Sequence, residues 1–335
     1  MSTYETVRPY ESKLGPRDTQ RAIKMVKDAF QTRLAAALNL DRVTAPVIVE
    51  AGRGINDDLS GVERKITFDT ANGNLTVEVV QSLAKWKRMQ LAAFGYGPGE
   101  GIYTDMNAVR RDDEVDHLHS LFVDQWDWER VLSPEERNRE FLHEVVLRIV
   151  ETLADVKEQV SRTYPSLTGK ISREVFFVTA PELEEMYPTL TRKERENAVT
   201  REHGTVFLEQ IGVPLSDGLP HDSRAPDYDD WTLNGDILVW NEVLGCAEEL
   251  SSMGIRVDAA RLDEQLRAAG ATDRRELEYH RGVLEGKYPL TVGGGIGQSR
   301  LCMLLLEKAH VGEVQSSVWP ESHRREMREK NIFLL

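Results

Sequence analysis

The sequence predicts an α+β fold, an antiparallel sheet flanked by helices, in a single domain spanning residues 1–335. Three observations lead there. Ile66 and Phe68, the turn dipeptide Asn72-Gly73, and then Leu75, Val77 and Val79 spell a β-hairpin. Residues 121–129 alternate, with Phe122, Trp126 and Trp128 on one face and Gln125, Asp127 and Glu129 on the other. The remaining strand candidates are joined by hairpins and long excursions rather than by regular βαβ units, which favours antiparallel pairing with helices on one side.

Taken in order, the chain first offers a helix after Pro16, with Ala22, Val26, Ala29, Phe30, Leu34, Ala37 and Leu38 as its apolar stripe. A strand over residues 44–49 contains Pro46, which cannot donate to a ladder and therefore belongs at an edge or an interface. Residues 54–61 read as a polar loop, and a helix carrying Lys85, Trp86 and Lys87 follows the hairpin. Ser133-Pro134-Glu135-Glu136 has the form of a capping box and predicts a long helix reaching about residue 164. Further strands are expected at 175–179, 205–211, 236–240 and 255–257, with helices near 182–187, 192–201, 259–269 and 273–285. The glycine run from Gly293 reads as a loop entering a helix over 300–308.

Composition narrows the function classes. Apolar residues make up 40% of the chain and charged residues 29%, with a formal net charge of -14. That charge repels polyanions, and the one dense basic stretch, residues 323–330, is interleaved with Glu326 and Glu329, so no nucleic-acid partner is expected. Cys246 and Cys302 are far apart without zinc-ligand spacing, as suits a reducing cytoplasm. The N-terminus carries no signal pattern, and no segment approaches the ~20 apolar residues of a membrane span. A cytoplasmic protein without membrane contact is expected.

Several constellations can carry chemistry. Gly293, Gly295 and Gly297, followed by Arg300, let backbone approach a flat ligand while an arginine projects from the helix that follows. The absence of an early βαβ unit excludes the dinucleotide-binding fingerprint. Asp236 and Glu249 fall on neighbouring strands, where two carboxylates can share a Mg²⁺ whose other ligands are phosphate oxygens and waters. Taken singly, acids in so acidic a chain are more often ordinary surface groups. Arg110 and Arg111 offer two-point contact to a carboxylate or phosphate, although solvated loops carry such pairs too. The acid- and aromatic-rich segment 222–231 suits a cation or an amine, or simply a turn-rich loop. No phosphate-binding lysine loop, serine nucleophile elbow or metal-spaced histidine pair is present.

In this order the features resemble the catalytic core of class II aminoacyl-tRNA synthetases. Longer strings narrow the resemblance: Gln81-Ser82-Leu83-Ala84-Lys85-Trp86-Lys87-Arg88, Leu233-Asn234-Gly235-Asp236-Ile237, and the segments 99–104, 123–129, 224–231, 249–257 and 293–300. Together they are similar to the ammonia-dependent asparagine synthetases of the AsnA type, and the likeness covers nearly the whole chain.

That resemblance implies a reaction and a set of roles. Aspartate, ammonia and ATP would give asparagine, AMP and pyrophosphate through a β-aspartyl-adenylate. The first helix and the Pro46 strand, within residues 1–50, would form a homodimer interface, and no anticodon-binding domain is expected. Arg110 and Arg300 would be the catalytic arginines on the α-phosphate and the far side of ATP, with Gly293, Gly295 and Gly297 beside the nucleotide. Asp236 and Glu249 would be the Mg²⁺ ligands. Lys87 and Arg256 would hold the α-carboxylate of a reversed aspartate, while Asp58, Ser82, Gln125, Asp127 and Ser252 complete its pocket. Asp229 or Asp58 would bind ammonium and accept its proton. The readings competing with this one are a tRNA synthetase paralogue and a non-catalytic amino-acid sensor.

Overall fold

The computed structural model describes residues 6–7, 9–57, 59, 63–71 and 73–335. Asp58 and Asn72 lie outside the described residues, as do Ser60 and Gly61 of the expected polar loop.

Proline at the first helical position sets φ for helix α1, Pro16–Leu38, and Asn39 ends it in the left-handed conformation at φ 57°. Its face of Ala22, Val26, Phe30, Leu34 and Leu38 is buried, and Phe30 packs on Trp126 with ring centroids 4.9 Å apart. The short strand β1, Leu40–Arg42, follows. Strands β2 (Ile48–Glu50), β3 (Thr67–Asp69) and β4 (Thr76–Val79) form a separate three-stranded sheet in the order β2-β4-β3. The expected hairpin is thus present, and Gly73 takes φ 70° in its turn. Pro46 lies ahead of β2 rather than within a strand, because the extended segment pairs only from Ile48 onward.

Helix α2, Ala84–Phe94, leads to β5, Gly101–Val109, a strand that the sequence did not announce, and to β6, Phe122–Val131. The capping box at Ser133 forms, but it closes a short 3₁₀ turn, Pro134–Glu136. The long helix α3, Arg139–Thr163, starts at its own cap, where the Asn138 side chain accepts a hydrogen bond from the Phe141 N–H. Strand β7 (Phe176–Thr179), helices α4 (Ala180–Met186) and α5 (Arg192–His203) and strand β8 (Thr205–Glu209) come next. Both helices open on threonine capping boxes, at Thr179 and Thr191.

Strands β9 (Asp229–Asn241) and β10 (Cys246–Arg256) form a long hairpin that contains the expected strand at 236–240 and ends one residue before the end of the one expected at 255–257. The expected helix at 273–285 divides into a 3₁₀ turn, Thr272–Glu276, and helix α7, Glu278–Leu284, after α6, Ala259–Ala268. Strand β11 (Thr291–Gly297), helix α8 (Gln298–Leu305) and helix α9 (Glu321–Glu329) complete the chain.

The main sheet has eight strands in the order β1-β5-β6-β11-β10-β9-β8-β7. Its interior pairs are antiparallel, whereas the two edge pairs, β1 with β5 and β7 with β8, are parallel. Helices α1, α3 and α8 share the principal apolar core with one face of this sheet. The other face of β6, β11, β10 and β9 carries the polar residues described next.

Candidate active site

The glycine run is not a loop. Residues 293–297 lie in β11 at the middle of the sheet, between β6 and β10, with Gly293 opposite Glu129 and Gly295 opposite Asp127. Glycine is required because its neighbours lean over it. A Cβ on Gly293 would lie 2.0 Å from Glu129 Oε2 and 2.6 Å from Arg256 Nη2; one on Gly295 would lie 2.6 Å from Gln125 Oε1 and 2.7 Å from Asp127 Oδ1. A bare strand therefore makes a floor on which charged side chains of adjacent strands cross.

On that floor sits a buried ion cluster. Arg256, from β10, donates through Nε to Glu129 Oε1 at 3.0 Å and through Nη2 to Glu129 Oε2 at 2.8 Å, and Nη1 pairs with Asp229 Oδ1. Thr291 Oγ1 donates to Glu129 Oε1 at 2.7 Å. Lys87, from α2, donates to the carbonyls of Trp128 and Gly294 at 3.0 and 3.1 Å, with Asp127 at 3.6 Å. Burial lowers the Lys87 pKa, partly opposed by Asp127 and Glu129. Burial likewise raises Asp229 despite Arg256 beside it. For Glu129 burial acts upward, but the charge of Arg256 prevails and holds it below the usual carboxylate value.

These groups open into a cleft of about 290 Å³, also lined by Ser82, Gln125, Asp127 and Ser252. It joins a larger cleft of about 580 Å³, lined by Arg300, Gly295 and Gly297. Arg110, Gln125, Arg224 and Glu249 line both. Of the expected site residues that are described, Gly293 and Asp236 line neither cleft: the missing side chain of Gly293 makes room for Glu129 and Arg256, and Asp236 is held by Arg224, which lines both. Asp58 lies outside the described residues. The neighbouring Asp57 is described, buried, and part of the smaller cleft. Two adjacent aspartates in a loop cannot be ranked from sequence alone, since burial is what separates them.

At the larger cleft, Arg300 Nη1 donates to the Glu249 carbonyl at 3.0 Å and lies 3.7 Å from Glu249 Oε2. Arg110 Nη2 donates to the Gln81 carbonyl at 3.3 Å. Asp236 is the cross-strand partner of Ser252, and Arg224 Nη2 donates to its Oδ2 at 2.6 Å. Burial raises the Asp236 pKa well above normal, more than Arg224 offsets, with Glu249 and Asp222 adding to the rise. Burial also acts upward on Glu249, but Arg300 and Arg224 bring it below normal. Among the described residues, no group of three or more His, Cys, Asp or Glu side chains is placed to hold a metal ion. Asp236 Oδ1, however, is buried without a hydrogen bond. Two carboxylates with one uncommitted oxygen fit a hard cation that keeps phosphate and water ligands, and do not fit a closed all-protein cage.

The fold places the chain structurally. It aligns with the asparaginyl-tRNA synthetase of Entamoeba histolytica in complex with asparaginyl-adenylate at a TM-score of 0.65 and 14% identity, covering 90% of this chain and 66% of that one. The Pyrococcus horikoshii asparaginyl-tRNA synthetase, complexed with the same adenylate, aligns at a TM-score of 0.60 and 15% identity, over 90% of this chain and 70% of that one. The architecture is that of a class II aminoacyl-tRNA synthetase catalytic core. Sequence is more specific: a family model for aspartate–ammonia ligase matches residues 17–331. The aspartate–ammonia ligase of Clostridium tetani is 53% identical over 329 residues, 98% of this chain and 96% of that protein. The Bacillus thuringiensis ligase is 52% identical over 325 residues, 97% and 99% of the two chains. The chain belongs to the aspartate–ammonia ligase family.

Proposed function

We propose that the chain makes asparagine from aspartate, ammonia and ATP, releasing AMP and pyrophosphate through a β-aspartyl-adenylate. Beyond family membership, the observation that carries this reading is the junction of the two clefts. Arg110, Gln125 and Glu249 belong to both, so a carboxylate in the smaller cleft meets a nucleotide in the larger one at shared residues.

Lys87 and Arg256 form the positive end of the smaller cleft and bind the α-carboxylate of aspartate. Ser82, Gln125, Asp127 and Ser252 surround the amino group and backbone. The β-carboxylate then points toward the nucleotide, where one of its oxygens attacks the α-phosphorus and pyrophosphate departs. Arg110 and Arg300 lie where negative charge grows during that displacement, and their fixed positions supply stabilisation without reorganisation. Asp236 and Glu249 would hold a Mg²⁺, which supplies charge neutralisation on the triphosphate when bound. Gly295 and Gly297 give the nucleotide a floor without side chains.

In the second step the nitrogen lone pair of ammonia attacks the β-carbonyl carbon, and AMP leaves with the former carboxylate oxygen. Ammonium must first shed a proton. Asp229 is the acceptor in this reading, because its burial raises its affinity for a proton. Asp57 in the same cleft provides a second negative group to draw ammonium in.

A homodimer built on α1 and the segment around Pro46 is part of the proposal. Exposed Val47 and Ile48, with Phe68 exposed on the same small sheet, support it as a surface to cover. Among the described residues no helix is long and apolar enough to cross a membrane. The free, buried Cys246 and Cys302 suit the cytoplasmic location that we also propose.

Incubation with aspartate, ATP, Mg²⁺ and ¹⁵N-ammonium, without tRNA, tests the overall reading. Labelled asparagine in equal amount to AMP is expected. ADP as the nucleotide product would rule out the adenylate route.

A further inference from the structure

Arg224 stands in the loop between β8 and β9 and is the one arginine of this loop. Its guanidinium holds Asp236 Oδ2 at 2.6 Å and approaches Asp222 Oδ2 at 3.6 Å. The pair is unfinished at both ends. Arg224 Nε is buried without a hydrogen-bond partner, and so is Asp236 Oδ1. A buried ion pair kept for stability alone normally satisfies its remaining donors and acceptors. Arg224 also lines both clefts, so its side chain stands at the boundary that a nucleotide triphosphate and its cation must share.

An arginine and a divalent cation cannot both sit against Asp236. Two positive groups within a few ångström repel each other strongly in a buried site. Asp236 and Glu249 are also the pair that would hold the cation, an inference that rests on the reading above.

We propose that Arg224 is the resident counter-ion of the substrate-free site, and that it exchanges partners during loading. When Mg²⁺ arrives with ATP at Asp236 and Glu249, the guanidinium of Arg224 leaves Asp236 and donates to the phosphate oxygens that enter beside it. The exchange keeps the buried carboxylate of Asp236 from standing uncompensated beside Glu249 before substrate arrives. It also ties nucleotide capture to occupation of the cation seat, since the phosphates receive Arg224 only after the metal has released it. Arg224 thus acts as a positioning residue. Planar, five-donor arginine suits both partners, carboxylate and phosphate, in a way that lysine does not.

Mn²⁺ titrations followed by the loss of its free-ion spin-resonance signal test the exchange independently of turnover. With no nucleotide present, Arg224→Met should bind Mn²⁺ about ten-fold more tightly than the unmodified protein, because the competing charge is gone. With α,β-methylene-ATP, the same variant should bind the nucleotide about ten-fold more weakly, because a phosphate donor is gone. Arg224→Lys, which keeps a cation at the site, should leave Mn²⁺ affinity without nucleotide close to the original value and guards against a folding artefact in the methionine variant. Asp236→Asn should abolish Mn²⁺ binding in every background. If Arg224→Met binds Mn²⁺ no more tightly while Asp236→Asn still abolishes binding, the exchange is overturned and the cation seat stands. If Asp236→Asn leaves Mn²⁺ binding intact, the seat itself is overturned, and the exchange with it.

Discussion

Arg256 and Glu129 meet in a two-point ion pair, 3.0 and 2.8 Å, directly over the bare backbone of Gly293. The pair joins β10 to β6 across β11, and it sets the direction in which the Arg256 guanidinium faces the smaller cleft. Glu129→Gln keeps the shape but removes the charge. It should raise the aspartate KM at least ten-fold, with a smaller effect on ATP, in steady-state assays. Arg256→Lys should not rescue aspartate binding, because an ammonium cannot reproduce the fork. Glu129→Gln also takes one carboxylate from the buried Arg256 and should cost about 3–5 kcal/mol of stability in denaturant titration.

Gly293→Ala tests why the strand is bare. A methyl group 2.0 Å from Glu129 Oε2 has no room, so the ion pair must part or the strand must shift. Thermal melting should show a loss of at least about 1–3 kcal/mol, the ordinary scale of overpacking. Aspartate binding should fall more than nucleotide binding, since Gly293 touches neither cleft itself. An alanine variant with unchanged melting and aspartate affinity would refute the packing role.

The pH profile of aspartate binding should report Lys87. Only the protonated amine attracts a carboxylate, and burial lowers its pKa below that of a free lysine. Aspartate affinity should therefore decline on the alkaline side, beginning below the pH at which an exposed lysine titrates. Lys87→Arg should move that decline to higher pH in a plot of kcat/KM against pH.

Glu248, beside Glu249 in β10, predicts a pH dependence of stability. Its carboxyl is buried, Oε2 accepts from Asn241 Nδ2 at 2.7 Å, Oε1 has no partner, and burial raises its pKa to about 7. Between its unfolded value and about 7, the folded state binds the extra proton, so stability falls as pH rises through that window and levels off above it. The loss is on the order of 3 kcal/mol for this group. Glu248→Gln should therefore melt higher than the original protein at pH ~8, with the difference shrinking as pH falls through that window.

Much of the site was legible in the sequence because its chemistry is local in the chain. Gln125 and Asp127 alternate on one strand, and Lys87 and Arg300 sit on short helices beside that strand and β11, so each could be placed by periodicity and resemblance. Pairings made across the sheet were not legible. The glycine run read as a loop because glycine is a poor strand former, and only the crossing of Glu129, Arg256, Gln125 and Asp127 above it explains its place in β11. Strand β5 carries a weak sequence signal for a related reason: it is buried along most of its length. The capping box at Ser133 is a true local signal with a shorter extent, since Asn138, two residues beyond the 3₁₀ turn, caps a second start. Arg224 gave no sign of its partner, because Asp236 lies twelve residues on and meets it only through the fold.

The central claim is that the β-carboxylate of aspartate attacks the α-phosphorus of ATP. Aspartate labelled with ¹⁸O in its β-carboxylate should be turned over with ammonium, ATP and Mg²⁺, and the products analysed by mass spectrometry. AMP carrying one ¹⁸O, with the other retained in the asparagine amide, is the predicted result. Unlabelled AMP, with the ¹⁸O in phosphate or pyrophosphate, would contradict it.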